Sequence, residues 1–457
     1  KYDKTKTTIH RFKIFNLLPN TTYYFVVSST DILGNTAQSM EYSFTTKECN
    51  ETHPCLFFSS IEETPGWRYC TQGIEPYVSW HSYIVWYAEN YLLDEDFSDP
   101  SAREINKAPK VRQLALAYLI SGDTRFAEKA IEGLTYIGNG DWGSSTVAWA
   151  IQDYAIAYDW VYNYLHENYP EIDAEVRDKL GWFADHIYTG YYDNFNVDPG
   201  PVVRSCALGV VATVLTDYDS PYSSGVADWL EAATTWLFEN YEPRGRPAIL
   251  YSYNPGGFEM GVESYAGWWV YDLIEWLTAY KRNYGDPFSK WPIAREIFNY
   301  VVKTTLPDGR RPNYGTEGNV FRDWSYYVLS LLPEEDAKAH RWLVNVLLEN
   351  IGEPTDSYYG YVFYDKFAVS TEEPAWKTFI SDDAESAIFR KDWSLESDYL
   401  WLRVLHHPNP SNRRMLHHDN LAFEYYTRGD LLLSDSGEIK HYISDPERLG
   451  SGGYGAS

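Results

Sequence analysis

The chain has 457 residues, 44% of them hydrophobic, which is enough apolar material for about two or three domain cores and excludes wholesale disorder. Its 65 acidic and 38 basic residues give a formal net charge of -27, a surface that repels phosphate backbones and argues against nucleic acid as a partner. No stretch approaches the ~18 apolar residues that a transmembrane helix needs. The 18 Trp, 41 Tyr and 20 Phe belong mainly to packing, but such a surplus of rings also suits a cleft that stacks sugars.

Residues 1–47 read as β structure, with an alternating run at Tyr23–Val27, a turn at Gly34-Asn35 and a second run ending at Phe44. These resemble the later strands of a fibronectin type III module. A sandwich of that kind needs about seven strands, so the chain is expected to begin inside a domain. Asn20-Thr21-Thr22 fits a glycosylation triplet, a pattern that also arises by chance.

From about residue 75 the apolar period becomes 3.6. Val111, Leu114, Ala115, Tyr118 and Leu119 form one face, Ser121-Gly122-Asp123 a turn, and Phe126, Ala127, Ala130, Ile131 and Leu134 the next face. The style recurs at Tyr154–Tyr164, Leu208–Leu215, Trp229–Leu237, Trp268–Tyr280, Ile293–Val302 and Trp342–Leu348. Amphipathic helices with no strands between them exclude a parallel α/β fold. An (α/α) toroid over 48–365 is the expected architecture. Near residue 380 the period returns to 2, at Ala387–Arg390, Tyr399–Leu405 and Leu421–Tyr426, and Arg428-Gly429-Asp430 turns into Leu431–Ser434. Residues 366–457 are therefore expected to begin an antiparallel β-sandwich that the chain does not complete.

The four cysteines, Cys49, Cys55, Cys70 and Cys206, contain no C-x-x-C pair. One disulfide among the first three and free buried thiols are both open readings. In an extended strand His417 and Asp419 share a face, and a hairpin partner brings Asp435 alongside. Imidazole with carboxylate suits zinc, but an ordinary hydrogen-bonded strand pair has the same spacing.

The segment "LHHDNLAFEYYTRGDLLLSDSG" resembles the sheet-domain signature of the heparinase II/III-like polysaccharide lyases. "HPCLFF" at His53–Phe58, "LALAYLISGDTRFAEKA" and "AIAYDWVYNYL" are similar to that family's helical domain. The resemblance runs over about residues 50 to 457. It implies a structural Zn2+ held by His417 and Asp435, with a third histidine beyond Ser457. It also implies a secreted or cell-surface enzyme that cleaves an acidic, uronate-containing polysaccharide by β-elimination.

In the family, a tyrosine in a segment similar to "NPGGFEMGVESYAGWWVY" transfers the proton, and this position matches Tyr265, with Glu263 close before it. The chemistry removes the C5 proton beside a carboxylate and expels the C4 oxygen, so one group must take and give a proton while another neutralises charge. Asn196 and Arg204 in "NVDPGPVVRSCALG" are the residues available for that neutralisation. The chain departs from the family at Met415, where many members carry a second histidine. His406 or His407 could take over that role. Arg244, Arg246, Arg310, Arg311 and Arg414 could hold an anionic chain, and Trp142 and Trp268 could stack sugars. The same residues equally fit surface charge and core packing, and the acidic background fits an acidic polymer only where basic residues gather. A C5 epimerase on the same framework, a glycoside hydrolase using Glu259 and Glu263, and an inactive polysaccharide-binding protein are the competing readings.

Overall fold

The structure of the protein is a computed structural model that describes residues 22–30, 34–45, 53–138, 147–189, 200–240, 247–251, 253–254, 257–258, 266–312, 324–380, 386–403 and 422–434. The chain forms two compact units, Lys1–Thr52 and His53–Ser457.

The first unit contains β1 (Thr22–Phe25), β2 (Ser28–Thr30), β3 (Thr36–Gln38) and β4 (Tyr42–Thr45). β1 pairs antiparallel with β4, placing Tyr23 opposite Phe44 with their rings stacked at 5.8 Å. β2 pairs with β3 around Gly34, whose φ of 87° is a conformation glycine adopts without strain.

The second unit opens with α1 (Pro65–Cys70) and α2 (Tyr77–Tyr87), the latter extended by a π turn at Ala88–Leu92. It continues with α3 (Glu104–Ser121), α4 (Thr124–Thr135), α5 (Val147–Asn168), α6 (Pro170–Tyr188), α7 (Gly200–Val214) and α8 (Val226–Glu231). A short ladder, β5 (Tyr253–Asn254) with β6 (Gly257–Phe258), precedes α9 (Ala266–Asn283). α10 (Pro287–Lys290), α11 (Pro292–Thr304), α12 (Glu334–Asn350) and α13 (Ser357–Phe363) complete the helices.

Local chemistry sets these hairpins. α3 ends where Gly122 adopts the left-handed conformation and its N–H donates to the Tyr118 carbonyl at 2.7 Å. Asp123 then accepts from the Arg125 N–H at 3.0 Å and starts α4, whose predicted apolar face is buried throughout. Helices α3, α5, α7 and α9 pack each against the next, and α4, α6 and α8 cover them. Tyr154 of α5 donates to Glu104 at the start of α3, and Tyr164 lies against Tyr118 near its end, so α3 and α5 run in the same direction. α7, buried from Pro201 to Val214, needs a small residue where α9 approaches. A Cβ on Gly209 would lie 2.6 Å from the Trp276 ring. α13 returns to α1 and α2, and its Tyr359 ring lies 4.6 Å from Tyr271 of α9, so the end of the helical series meets both its beginning and its middle.

The last strands are β7 (Thr378–Ile380), β8 (Ser386–Arg390), β9 (Tyr399–Arg403), β10 (Ala422–Thr427) and β11 (Asp430–Leu433), in one antiparallel sheet of order β11-β10-β9-β8-β7. Ile388 pairs with Trp401, which pairs with Glu424, and all three are buried on the same face. That face is clamped to the end of α11. The Arg390 guanidinium donates to the carbonyls of Lys303 (2.9 Å) and Thr305 (2.8 Å), and Tyr399 Oη donates to that of Thr304 (2.7 Å). A cation at a helix C-terminus meets both free carbonyls and the negative end of the dipole.

Candidate functional site

Charged residues appear in the interior where the inner helices should be wholly apolar. Arg112 of α3, Gln152 and Asp153 of α5, Asp272 and Glu275 of α9, and Tyr358 and Tyr359 of α13 form one hydrogen-bonded knot. Asp153 and Asp272 lie in the N-terminal halves of α5 and α9, and Glu275 lies just past the middle of α9. Glu275 accepts from Arg112 at 3.3 Å, Gln152 at 2.6 Å, Tyr358 at 3.0 Å and Tyr359 at 2.9 Å. Arg112 also donates to Asp153, and its guanidinium lies 3.8 Å from the Tyr358 ring centroid. Asp272 accepts from the Trp149 indole N–H at 2.8 Å.

One guanidinium faces three carboxylates here, and full ionisation would leave uncompensated negative charge in the interior. Protons resolve the conflict. Burial pushes the Asp153 carboxyl up to about 7, Arg112 opposes the rise and Glu275 adds to it. Burial, then the charge of Glu275, lifts Asp272 well above the usual carboxylate range. Burial works against the Arg112 charge, but Asp153, the two tyrosines and Glu275 outweigh it. Cys206 of α7 feels the same field: burial, then Asp272 and Glu275, raises its thiol. The knot thus combines a carboxyl held well above its usual range, a carboxyl that titrates near neutrality and a fixed cation. It can exchange a proton and hold negative charge.

Arg204 stands on α7 two residues before Cys206 and is buried, with 8% of its surface exposed. Tyr265 directly precedes α9 in sequence, but it lies outside the described residues, as do Asn196, Glu263, Trp142, Arg244, Arg246, His406 and Arg414. Trp268 falls within α9, and the neighbouring Trp269 is buried. Arg310 is held by Asp308 at 2.6 Å on the turn after α11. Arg311 departs from the expectation of a surface cation. It is fully buried, and its guanidinium donates to the Val301 carbonyl at 3.1 Å and to Thr305 Oγ1, so it serves the end of α11.

The expected metal ligands His417 and Asp435 also lie outside the described residues. Among the described residues, His53, Cys55 and Asp159 bring three potential ligand atoms within 4.8 Å of one another. Asp159 Oδ1 accepts from His53 Nδ1 at 2.6 Å and the Cys55 N–H at 2.8 Å, and Oδ2 accepts from the Leu56 N–H at 3.1 Å. These bonds tie the entry segment to α5. Cys70 and Cys206 are free thiols.

The knot was not anticipated from the sequence. A signal was present: Gln152-Asp153 and Asp272…Glu275 interrupt helices that are otherwise apolar on nearly every side, and such interruptions need a partner.

No family model and no curated protein matches the chain. Its fold is similar to that of solved structures. The heparan sulfate lyase HepC from Pedobacter heparinus aligns over 78% of this chain and 53% of that one, at 14% identity and a TM-score of 0.50. A mutant of the same lyase aligns over 76% and 50%, also at 14% identity and 0.50. The chain thus spans about half the length of these structures, and the likeness is one of fold: a helical array followed by an antiparallel sheet. Among the described residues, no helix is long and apolar enough to cross a membrane.

Proposed function

We propose that the chain is part of a polysaccharide lyase that cleaves a uronate-containing polymer by β-elimination. One observation carries this reading: a buried knot of carboxyls around one guanidinium sits on the inner helices of a fold similar to that of a heparan sulfate lyase. In this reading Tyr265 takes the C5 proton and returns it to the departing C4 oxygen, with Glu263 beside it. Arg204 or Asn196 neutralises the substrate carboxylate. Arg204 lies within the first two turns of α7, which packs between α5 and α9. Arg244, Arg246, Arg310, Arg414 and His406 hold the anionic chain, and Trp142 and Trp268 stack against it. Zn2+ on His417 and Asp435 pins the sheet, and the enzyme acts outside the cell.

The test is a panel of uronate polymers with unsaturated ends, which gain an ultraviolet absorbance, as the readout. Tyr265→Phe removes one hydroxyl and should lower elimination by roughly 10²–10⁴-fold while the fold survives. C5 hydrogen exchange without cleavage would replace the lyase by an epimerase. Absence of both reactions from every polymer would leave a binding protein.

A further inference from the structure

The outer face of α2 carries a feature that the lyase reading leaves unused. Its inner face, Tyr77, Trp80 and Ile84, continues through Ala88 and Leu92 and is buried against the helical array. On the outward side stand Tyr83, Trp86 and Tyr91, and half-buried Tyr87 joins them to the core. Tyr83, Trp86 and Tyr91 are 48%, 48% and 54% exposed. Trp86 is the sole tryptophan in the exposed class among the described residues.

The rings form a closed quartet. Tyr83 lies 6.0 Å from Trp86 and 5.8 Å from Tyr87, while Tyr91 lies 5.5 Å from Trp86 and 5.3 Å from Tyr87. Continuous α-helix would not build this arrangement, because at 3.6 residues per turn positions five apart point well away from each other. The π turn at Ala88–Leu92, closed by the Leu93 N–H on the Ala88 carbonyl at 3.2 Å, widens the spiral at this point. Residue 91 is thereby carried above residue 86. Such insertions are costly and cluster at functional positions.

The chemistry of the patch narrows its occupant. Among the described residues, the exposed large hydrophobic side chains from Tyr83 to Tyr91 are rings with polar rims, with no exposed aliphatic side chain between them. Protein interfaces are enriched in Met and Arg beside their aromatic residues, and neither occurs between Arg68 and Arg103. Rings edged by hydroxyls and an indole N–H instead suit the apolar faces and hydroxyl rims of sugars. Charge decides which sugars. No lysine or arginine occurs between Arg68 and Arg103, whereas Glu75, Glu89, Asp94, Glu95, Asp96 and Asp99 all do. Arg125, which reaches Glu89 at 3.3 Å, is already engaged by Asp123 at 2.7 Å. A sulfated or uronate chain would meet net negative potential here, and an uncharged chain would not.

We propose that Tyr83, Trp86, Tyr87 and Tyr91 form a platform that binds an uncharged polysaccharide. This site is independent of the chemistry at the inner helices, and it would hold the protein on neutral glycan while another site acts.

The test is affinity electrophoresis of the protein in native gels containing galactomannan, xyloglucan, mixed-linkage β-glucan or alginate. The wild type should be retarded by at least one neutral polymer. Trp86→Ala and Tyr91→Ala should each weaken that retention by roughly tenfold, and Trp86→Phe should restore part of it. Both alanine variants should behave as the wild type in alginate. Two results would overturn the proposal: no retardation in any neutral polymer, or retention unchanged in both alanine variants. Concentration-dependent dimerisation that Trp86→Ala abolishes would overturn it too, by assigning the face to a second copy. Thermal melts of each variant separate lost binding from lost folding. Failure of these experiments leaves the lyase reading untouched, since that reading is judged by unsaturated products.

Discussion

Asp153 and Asp159 sit on the same helix and differ in what surrounds them. Asp159 meets donors on both oxygens, two backbone N–H groups and an imidazole. Asp153 shares one guanidinium with Glu275, in a neighbourhood that also holds Asp272. The first is a clasp whose donors match its acceptors. The second is a site with more carboxylates than cations, which must hold protons to exist. Burial alone therefore does not separate structural acids from reactive ones, and the donor count does.

Removing the shared cation should have the largest effect. Arg112→Met is expected to destabilise the fold by about 3–5 kcal/mol at pH 7, with a smaller loss near pH 4, where the Asp153 carboxyl holds its proton. Urea unfolding at both pH values measures this, and an equal loss at both would break the distinction between knot and clasp. Asp159→Asn should cost about 2–3 kcal/mol, since an amide presents one acceptor where the carboxylate presents two. A stability within experimental error of the wild type would show that the clasp is dispensable.

The pH dependence sharpens the contrast. The folded Asp153 carboxyl titrates at about 7, above its ordinary value of about 3.9. Its contribution to stability is fully present below the lower value and is lost as pH rises through the higher one. Asp272 is raised in the same direction, by burial and then by the charge of Glu275, and adds to the decline. Asp153→Asn should flatten the fall between about pH 4 and pH 7, as read from melting temperatures across that range. An unchanged slope would remove Asp153 as the titrating group. The smallest change is expected from Tyr358→Phe, about 1 kcal/mol, because Glu275 keeps its other donors.

Much of the fold was legible in the sequence because the periods were clean. The α3–α4 hairpin carries its stop at Gly122 and its start at Asp123, and both operate as read. The Arg428-Gly429 turn does too, with φ of 56° and 82°. Other features left no local signature. α13 is a short helix whose tyrosines matter only because the chain returns them to α9, a contact between residues far apart in sequence. The π turn after α2 is likewise invisible to a pattern that assumes 3.6 residues per turn. For the candidate site, the sequence pointed to the segments that lead into α7 and α9, but not to the knot. Each member of the knot is unremarkable alone, and the signal lies in the convergence of separate helices. Arg311 misled because a basic pair beside Gly309 looks like a surface loop, while its guanidinium turns inward to α11.

The clamp between sheet and helices has a thermodynamic consequence. Arg390 and Tyr399 occupy three successive carbonyls at the end of α11, so parting the sheet from the helices would strand a buried guanidinium and those acceptors together. Partial melting at that boundary is therefore disfavoured, and strands and helices of the second unit should lose structure in a single calorimetric peak.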